Sequence, residues 1–126
     1  MKITGFNPMV VSKDADKLIA LFEELGFEIR HQPVADAGHG DVTTTRMKDT
    51  NGNYIDIVNS DFLPQDLTEI RINVDDLEEA CSIFTAHGFQ NTRGDATVDL
   101  KTSKTAVMRS PSGCMISLVK HLKEND

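Results

Sequence analysis

Two cysteines in 126 residues, Cys81 and Cys114, are too few for a disulfide framework. Basic residues are scarce as well: 13 Lys and Arg stand against 20 Asp and Glu, for a formal net charge of -7. They are scattered rather than grouped, which excludes the basic patch of a nucleic-acid binder. No apolar run approaches the roughly 20 residues of a membrane span. The N-terminus lacks the apolar region and cleavage site of a signal peptide, so a cytoplasmic location is expected. Also missing are an H-x-x-x-H pair, a Cys-His cluster, a Gly-rich phosphate loop and a nucleophile elbow. What remains, 39% hydrophobic with no low-complexity segment, suits one compact domain that needs neither disulfides nor metal to hold its core.

The most informative feature present is a near-repeat. Met47-Lys-Asp-Thr-Asn-Gly52-Asn-Tyr-Ile55-Asp-Ile-Val58 returns as Met108-Arg-Ser-Pro-Ser-Gly113-Cys-Met-Ile116-Ser-Leu-Val119, 61 residues on. Upstream, Asp14, Phe22 and Gly26-Phe27 return as Asp76, Phe84 and Gly88-Phe89, 62 residues on. Each half is thus one supersecondary unit whose apolar face the other can cover, with a cleft between them.

Periodicity predicts a strand over 2–11, interrupted in character by Pro8, which favours an edge position. A helix follows over 14–25, where Ala15, Leu18, Ile19, Phe22 and Leu25 keep one face. Ser12 or Asp14 can cap it and Gly26 ends it. Strands are predicted over 27–32, 42–48 and 53–59, with a Gly- and Pro-punctuated loop over 33–40. The second unit repeats the plan: a strand over 67–74, a helix over 76–87 carrying Leu77, Ala80, Cys81 and Phe84 inward, and strands over 104–110 and 114–120. Residues 90–103 are polar and resist assignment. Cys81 falls on the apolar stripe of its helix, where a free thiol acts as a small hydrophobe. The expected architecture is α+β, one domain over 1–126, with unit 1–59, linker 60–66 and unit 67–121.

Read as a whole, the chain resembles the vicinal oxygen chelate superfamily of glyoxalase I, bleomycin-resistance proteins and extradiol dioxygenases. The carriers are Ser12-Lys-Asp14 and Val74-Asp-Asp76 before the helices, Phe22…Gly26-Phe27 and Phe84…Gly88-Phe89 after them, and the two Gly-plus-strand closings. The resemblance implies two βαβββ modules forming a curved mixed sheet around a cleft. In active relatives a divalent metal is held by His, Gln or Glu on the first strand of each unit and Glu on the fourth. Carried over, those places are Asn7 and Asp56 in the first unit, and Glu69 and Ser117 in the second. Asp56 and Glu69 are then the candidate metal ligands. The set departs from the pattern, because Asp is one methylene short, Asn offers a neutral carbonyl and Ser a hydroxyl. An oxygen-only set of this kind suits Mg or Mn weakly and Zn, Ni or Fe poorly.

Strand alternation supplies the cleft lining. With Ile55 and Ile57 toward the first helix, Tyr54, Asp56 and Val58 face the cleft. Met115, Ser117 and Val119 do so from the second unit. Ile70, Ile72 and Val74 pack inward, which leaves Glu69, Arg71 and Asn73 on the cleft side opposite Asn7, Met9 and Val11. The candidate ligand-binding set is Asn7, Met9, Tyr54, Asp56, Glu69, Arg71, Met115 and Ser117, an apolar wall with sparse polar groups. An i, i+2 ion pair on one strand face is an equal rival account of Glu69 and Arg71. The facing of Thr43 to Thr45 and Arg46 stays ambiguous. His39 lies in a loop, His87 at a helix end where its charge suits the dipole, and His31 and His121 at strand ends with no visible partner.

Three functions fit. The first is a small-molecule binder without a tight metal or other cofactor, in which the negative charge draws cationic ligands. The second is a metal-dependent glyoxalase I-like lyase or isomerase, or a dioxygenase, using Asp56 and Glu69. The third is a non-catalytic module whose cleft is a subunit seam. A homodimer is expected in any of them, with no nucleic-acid or membrane partner.

Overall fold

The computed structural model describes residues 1–36, 41–61, 63–94, 97–99 and 103–122. Elements run β1 (Ile3–Ser12), α1 (Ala15–Glu24), β2 (Glu28–His31), β3 (Val34–Asp36), β4 (Asp41–Lys48) and β5 (Tyr54–Asn59). The second repeat gives β6 (Leu67–Val74), α2 (Leu77–Ala86), β7 (Gln90–Asn91), β8 (Val98–Asp99), β9 (Ser103–Arg109) and β10 (Met115–His121). The fold is α+β, built of two βαβββ units, each with one short accessory strand.

Contacts divide the chain into two compact units, Asn7–Thr68 and Met1–Phe6 with the residues from Glu69 on. The boundary therefore cuts β1 instead of falling only in the 60–66 linker. The reason is local. Lys2 donates its N–H to Asp75 Oδ1 at 2.6 Å, its carbonyl accepts from Asp75 N–H at 3.1 Å, and the N-terminal ammonium meets Glu79 at 2.7 Å. Pro8 lies just ahead of Met9–Ser12, the stretch of β1 in register with β5. Its missing N–H interrupts none of that ladder.

In the Asn7–Thr68 unit the strand order is β2-β4-β5-β1, with β1 and β5 parallel and the other pairs antiparallel. In the other it is β6-β10-β9-β7, with β6 and β10 parallel. The repeat seen in sequence is a repeat of register: Met47 pairs with Ile55 as Met108 pairs with Ile116. The turns between them are built alike. Asp49 Oδ1 accepts from the N–H groups of Asn51 and Asn53, and Ser110 Oγ accepts from Cys114 N–H. Gly52 and Gly113 close them at φ +86° and +99°, where a side chain would strain the backbone.

Each helix covers its own unit. α1 lays Leu18, Ile19 and Phe22 on Met47, Ile55 and Ile57, while α2 lays Ala80, Cys81 and Phe84 on Met108, Ala106 and Leu118. Phe22 and Phe27 meet edge to face at 5.3 Å between centroids, and Phe84 and Phe89 at 5.1 Å. The repeated Phe-x-x-x-Gly-Phe segments are therefore helix-closing clasps, the glycine giving the reversal and the rings packing across it.

Several expectations need correction. Val34–Asp36, read as loop, pairs with β4 through Val34 and Thr43. Among the described residues of 90–102, Gln90–Asn91 and Val98–Asp99 are two-residue strands, too short to show any period. Ile70, expected inward, is exposed. At α1 the N-cap position is Asp14, whose side chain makes no cap bond, and Ser12 Oγ accepts from Asp14 N–H at 3.0 Å just ahead of the helix. The 37–40 segment with His39 and position 62 of the linker lie outside the described residues.

Candidate functional site

In β5, Ile55 and Ile57 enter the α1 core, so alternation sends Asp56 and Tyr54 to the opposite face. Asp56 is fully buried, at 0% exposure. Its Oδ2 accepts from Asn7 Nδ2 at 2.7 Å and from Arg46 Nη1 at 2.9 Å. Asn7 Nδ2 also donates to the Pro8 carbonyl, and Asn7 Oδ1 accepts from Arg46 Nη1 at 3.3 Å. Arg46 reaches them because β4 sets it directly opposite Asp56 in the ladder. Its Cζ lies 4.2 Å from the centroid of the Tyr54 ring, and Lys48 Nζ lies 5.2 Å from the same ring. Met9 is the Cα partner of Asp56 across the parallel ladder.

The other unit carries the second half of the candidate set. Glu69, 6% exposed, accepts from Ser117 Oγ at 2.8 Å. Burial pushes the Glu69 carboxyl above its ordinary 4.5, and the Ser117 hydrogen bond pulls the other way. Arg71 does not turn to Glu69: its Nε donates to Asn73 Oδ1 at 2.9 Å, and its Nη2 lies 3.4 Å from His121 Nε2. Asn73 in turn backs onto Gly5, where a Cβ would come within 2.8 Å of its Nδ2. His121 thus has a partner that its place at a strand end did not reveal. Met115 is half-buried at the start of β10.

Asn7 with Asp56 and Glu69 with Ser117 are equivalent pairs, each hydrogen-bonded within its own unit. The pairing follows from the repeat, since a parallel first-and-last strand pair puts those positions side by side twice.

The donor chemistry does not suit a tight divalent ion. A metal-binding carboxylate must be free of competing cations, and Asp56 already faces a guanidinium. Asn7 turns its amide N–H groups, not its oxygen, toward Asp56. Burial raises the Glu69 carboxyl above its ordinary value, and Glu69 Oε1 already accepts a hydrogen bond from the Ser117 hydroxyl. Among the described residues no three His, Cys, Asp or Glu side chains gather as a metal would require.

Two further participants are Arg46, whose facing the sequence left open, and Lys48, which sequence reasoning missed. The signal was present in the Asp49–Asn53 turn: a tight hairpin there fixes Lys48 opposite Tyr54 and therefore Arg46 opposite Asp56.

This fold, with its paired βαβββ units, is that of the vicinal oxygen chelate proteins. Among solved structures it is similar to methylmalonyl-CoA epimerase from Mycobacterium tuberculosis, with a TM-score of 0.72 and 15% identity, covering 94% of this chain and 88% of that one. It is similar to a variant of Streptomyces coelicolor methylmalonyl-CoA epimerase in complex with 2-nitronate-propionyl-CoA, with a TM-score of 0.71, 13% identity and coverage of 97% and 100%. Glyoxalase I from Zea mays matches with a TM-score of 0.67 and 18% identity over 98% of this chain, which spans 45% of the maize protein. At these identities the likeness is one of fold. No family model matches the sequence, and a search of curated proteins finds no match.

Proposed function

We propose that this protein binds a small organic molecule and does so without a tightly held catalytic metal. In the Asn7–Thr68 unit the residues assigned to a ligand are Asn7, Met9, Tyr54 and Asp56, with Arg46 added; in the other unit the equivalent candidates are Glu69, Arg71, Met115 and Ser117. The observation that carries this reading is the Arg46 guanidinium 2.9 Å from the Asp56 carboxylate: the charge that a metal would meet is met by the protein's own cation. The solved structure of the Streptomyces coelicolor epimerase in complex with 2-nitronate-propionyl-CoA supports the view that this fold accommodates a small organic ligand. No helix among the described residues is long and apolar enough to cross a membrane, which is compatible with the cytoplasmic location we infer. A homodimer belongs to the same proposal and is to be checked by sedimentation at micromolar concentration.

Elemental analysis of the native protein and calorimetric titration with Zn, Ni, Mn and Mg test the reading. The expected outcome is no ion near one per chain and no binding tighter than about millimolar, an affinity near 4 kcal/mol. A stoichiometric ion lost in Asp56→Ala or Glu69→Ala would overturn it in favour of the metal-dependent lyase or dioxygenase.

A further inference from the structure

We propose that Arg46 anchors a carboxylate, so that the small molecule bound by this protein carries a carboxyl group. This rests on the metal-free reading above and adds to it the chemical class of the ligand.

A guanidinium has five N–H donors. In Arg46 every hydrogen bond among the described residues is made by Nη1, to Asp56 Oδ2 and Asn7 Oδ1. Neutralising Asp56 accounts for that one nitrogen. The Nε and Nη2 edge is left with three N–H groups and no protein acceptor among the described residues. That edge is the fork whose spacing matches the two oxygens of a carboxylate. The Arg46 side chain keeps 20% exposure, while its Asp56 partner is fully buried.

The fork is also held in orientation. Contact of Cζ with the Tyr54 ring at 4.2 Å and the Nη1 hydrogen bonds to Asp56 and Asn7 hold the guanidinium from two sides. Little rotamer freedom is left to lose when a ligand binds. Lys48, 5.2 Å from the same ring, adds a second cation. Both cations lie against the Tyr54 ring, on a chain whose net charge is -7.

The hairpin itself does not demand an arginine. In the second repeat the equivalent position is Val107, which sits opposite Ser117 as Arg46 sits opposite Asp56. Two grooves that Arg46 does not line are weaker candidates. One of about 470 Å³ is lined by Gly88, Gln90, Asn91 and Arg109, and one of about 260 Å³ by Gly26, Glu28, Arg30 and Lys48. They are the same surface crevice in the two repeats, beside the clasp glycines, and follow from the fold alone.

The test is an NMR titration of the full ¹⁵N-labelled chain with acetate, malonate and benzoate, reading the Arg46 Nε–Hε cross-peak. The expected result is a saturable shift of that peak by at least one probe. Affinity should fall about ten- to a hundred-fold in the Arg46→Gln/Asp56→Asn double variant, which replaces the ion pair by a neutral one and leaves no stranded carboxylate. Arg46→Lys, which keeps the charge but loses the fork, should retain about a tenth of the affinity or less. Unchanged affinity in the double variant, or no shift of the Arg46 peak with any probe, would overturn the inference. So would an equal or stronger response to inorganic phosphate. A one-to-one Mn or Zn ion on Asp56 would remove the metal-free reading as well. Silence toward carboxylates in a protein that takes neither ion removes only this inference.

Discussion

Asp56 and Arg46 are unequal partners in their ion pair, because one is sealed from water and the other is not. Arg46→Gln deprives a buried carboxylate of its guanidinium, and should cost about 2–3 kcal/mol in urea unfolding, somewhat below a fully buried pair because Arg46 retains some water. Asp56→Asn lets the guanidinium turn to solvent and should cost about 1 kcal/mol, and the double variant should lie within about 1 kcal/mol of the parent. Near-equal single costs would show that the pair is not so asymmetric. Glu69 gives a pH signature of the opposite kind to a salt-bridged acid. Its folded value lies above the ordinary 4.5, raised by burial, so the folded state binds its proton more tightly than the unfolded chain does. That contribution is fully present below the unfolded value and is lost as pH rises through the folded one. Glu69→Gln should therefore raise the melting temperature at pH 7 relative to the parent, with the advantage vanishing at pH 4. A ¹³C titration of Ser117→Ala should show the Glu69 carboxyl higher still. At this scale the residues placed by simple alternation, Asn7, Asp56, Glu69 and Ser117, were readable. Arg46 and His121 were not, because their partners depend on hairpin register and on a contact 50 positions away.

The elements obey rules that differ between the two repeats in checkable ways. Asp76 caps α2 by accepting from Glu79 N–H at 3.0 Å, whereas the Asp14 side chain makes no such bond at α1. Asp76→Ala should cost about 1 kcal/mol and Asp14→Ala close to nothing by loss of a cap, measured by chemical denaturation. Equal losses would mean that charge near the helix start, not the hydrogen bond, is what matters. Gly88→Ala separates conformation from space: the new Cβ would meet Pro111 only at 3.9 Å, an ordinary contact, yet φ is +89°. A cost of about 1–2 kcal/mol is expected from the dihedral alone, and Gly88→Asn should recover part of it. Both helices and the repeated hairpin were legible because each has a period or a turn signature longer than its ambiguity. Strands β3, β7 and β8, of two or three residues, carry none; backbone pairing with longer neighbours makes them, not side-chain pattern.

For the molecule as a whole, the repeat made the fold readable at identities of 13–18% to the solved structures it resembles. Total charge and local charge point opposite ways, because -7 favours cationic ligands while the cations against the Tyr54 ring are Arg46 and Lys48. The two scales can be separated by salt. The Debye length falls from about 30 Å at 10 mM to about 8 Å at 150 mM ionic strength. At low salt a carboxylate approaching Arg46 feels the repulsion of distant acidic residues together with the local fork. At 150 mM the distant field is largely screened, while hydrogen bonds near 3 Å keep most of their strength. The affinity measured for acetate or malonate should therefore hold steady or tighten by up to about three-fold between those conditions. A cationic ligand drawn by the overall charge would weaken instead. Ten-fold weakening of the carboxylate would mean that diffuse attraction, not a fixed fork, holds it, and would return Arg46 to the lesser role of neutralising Asp56.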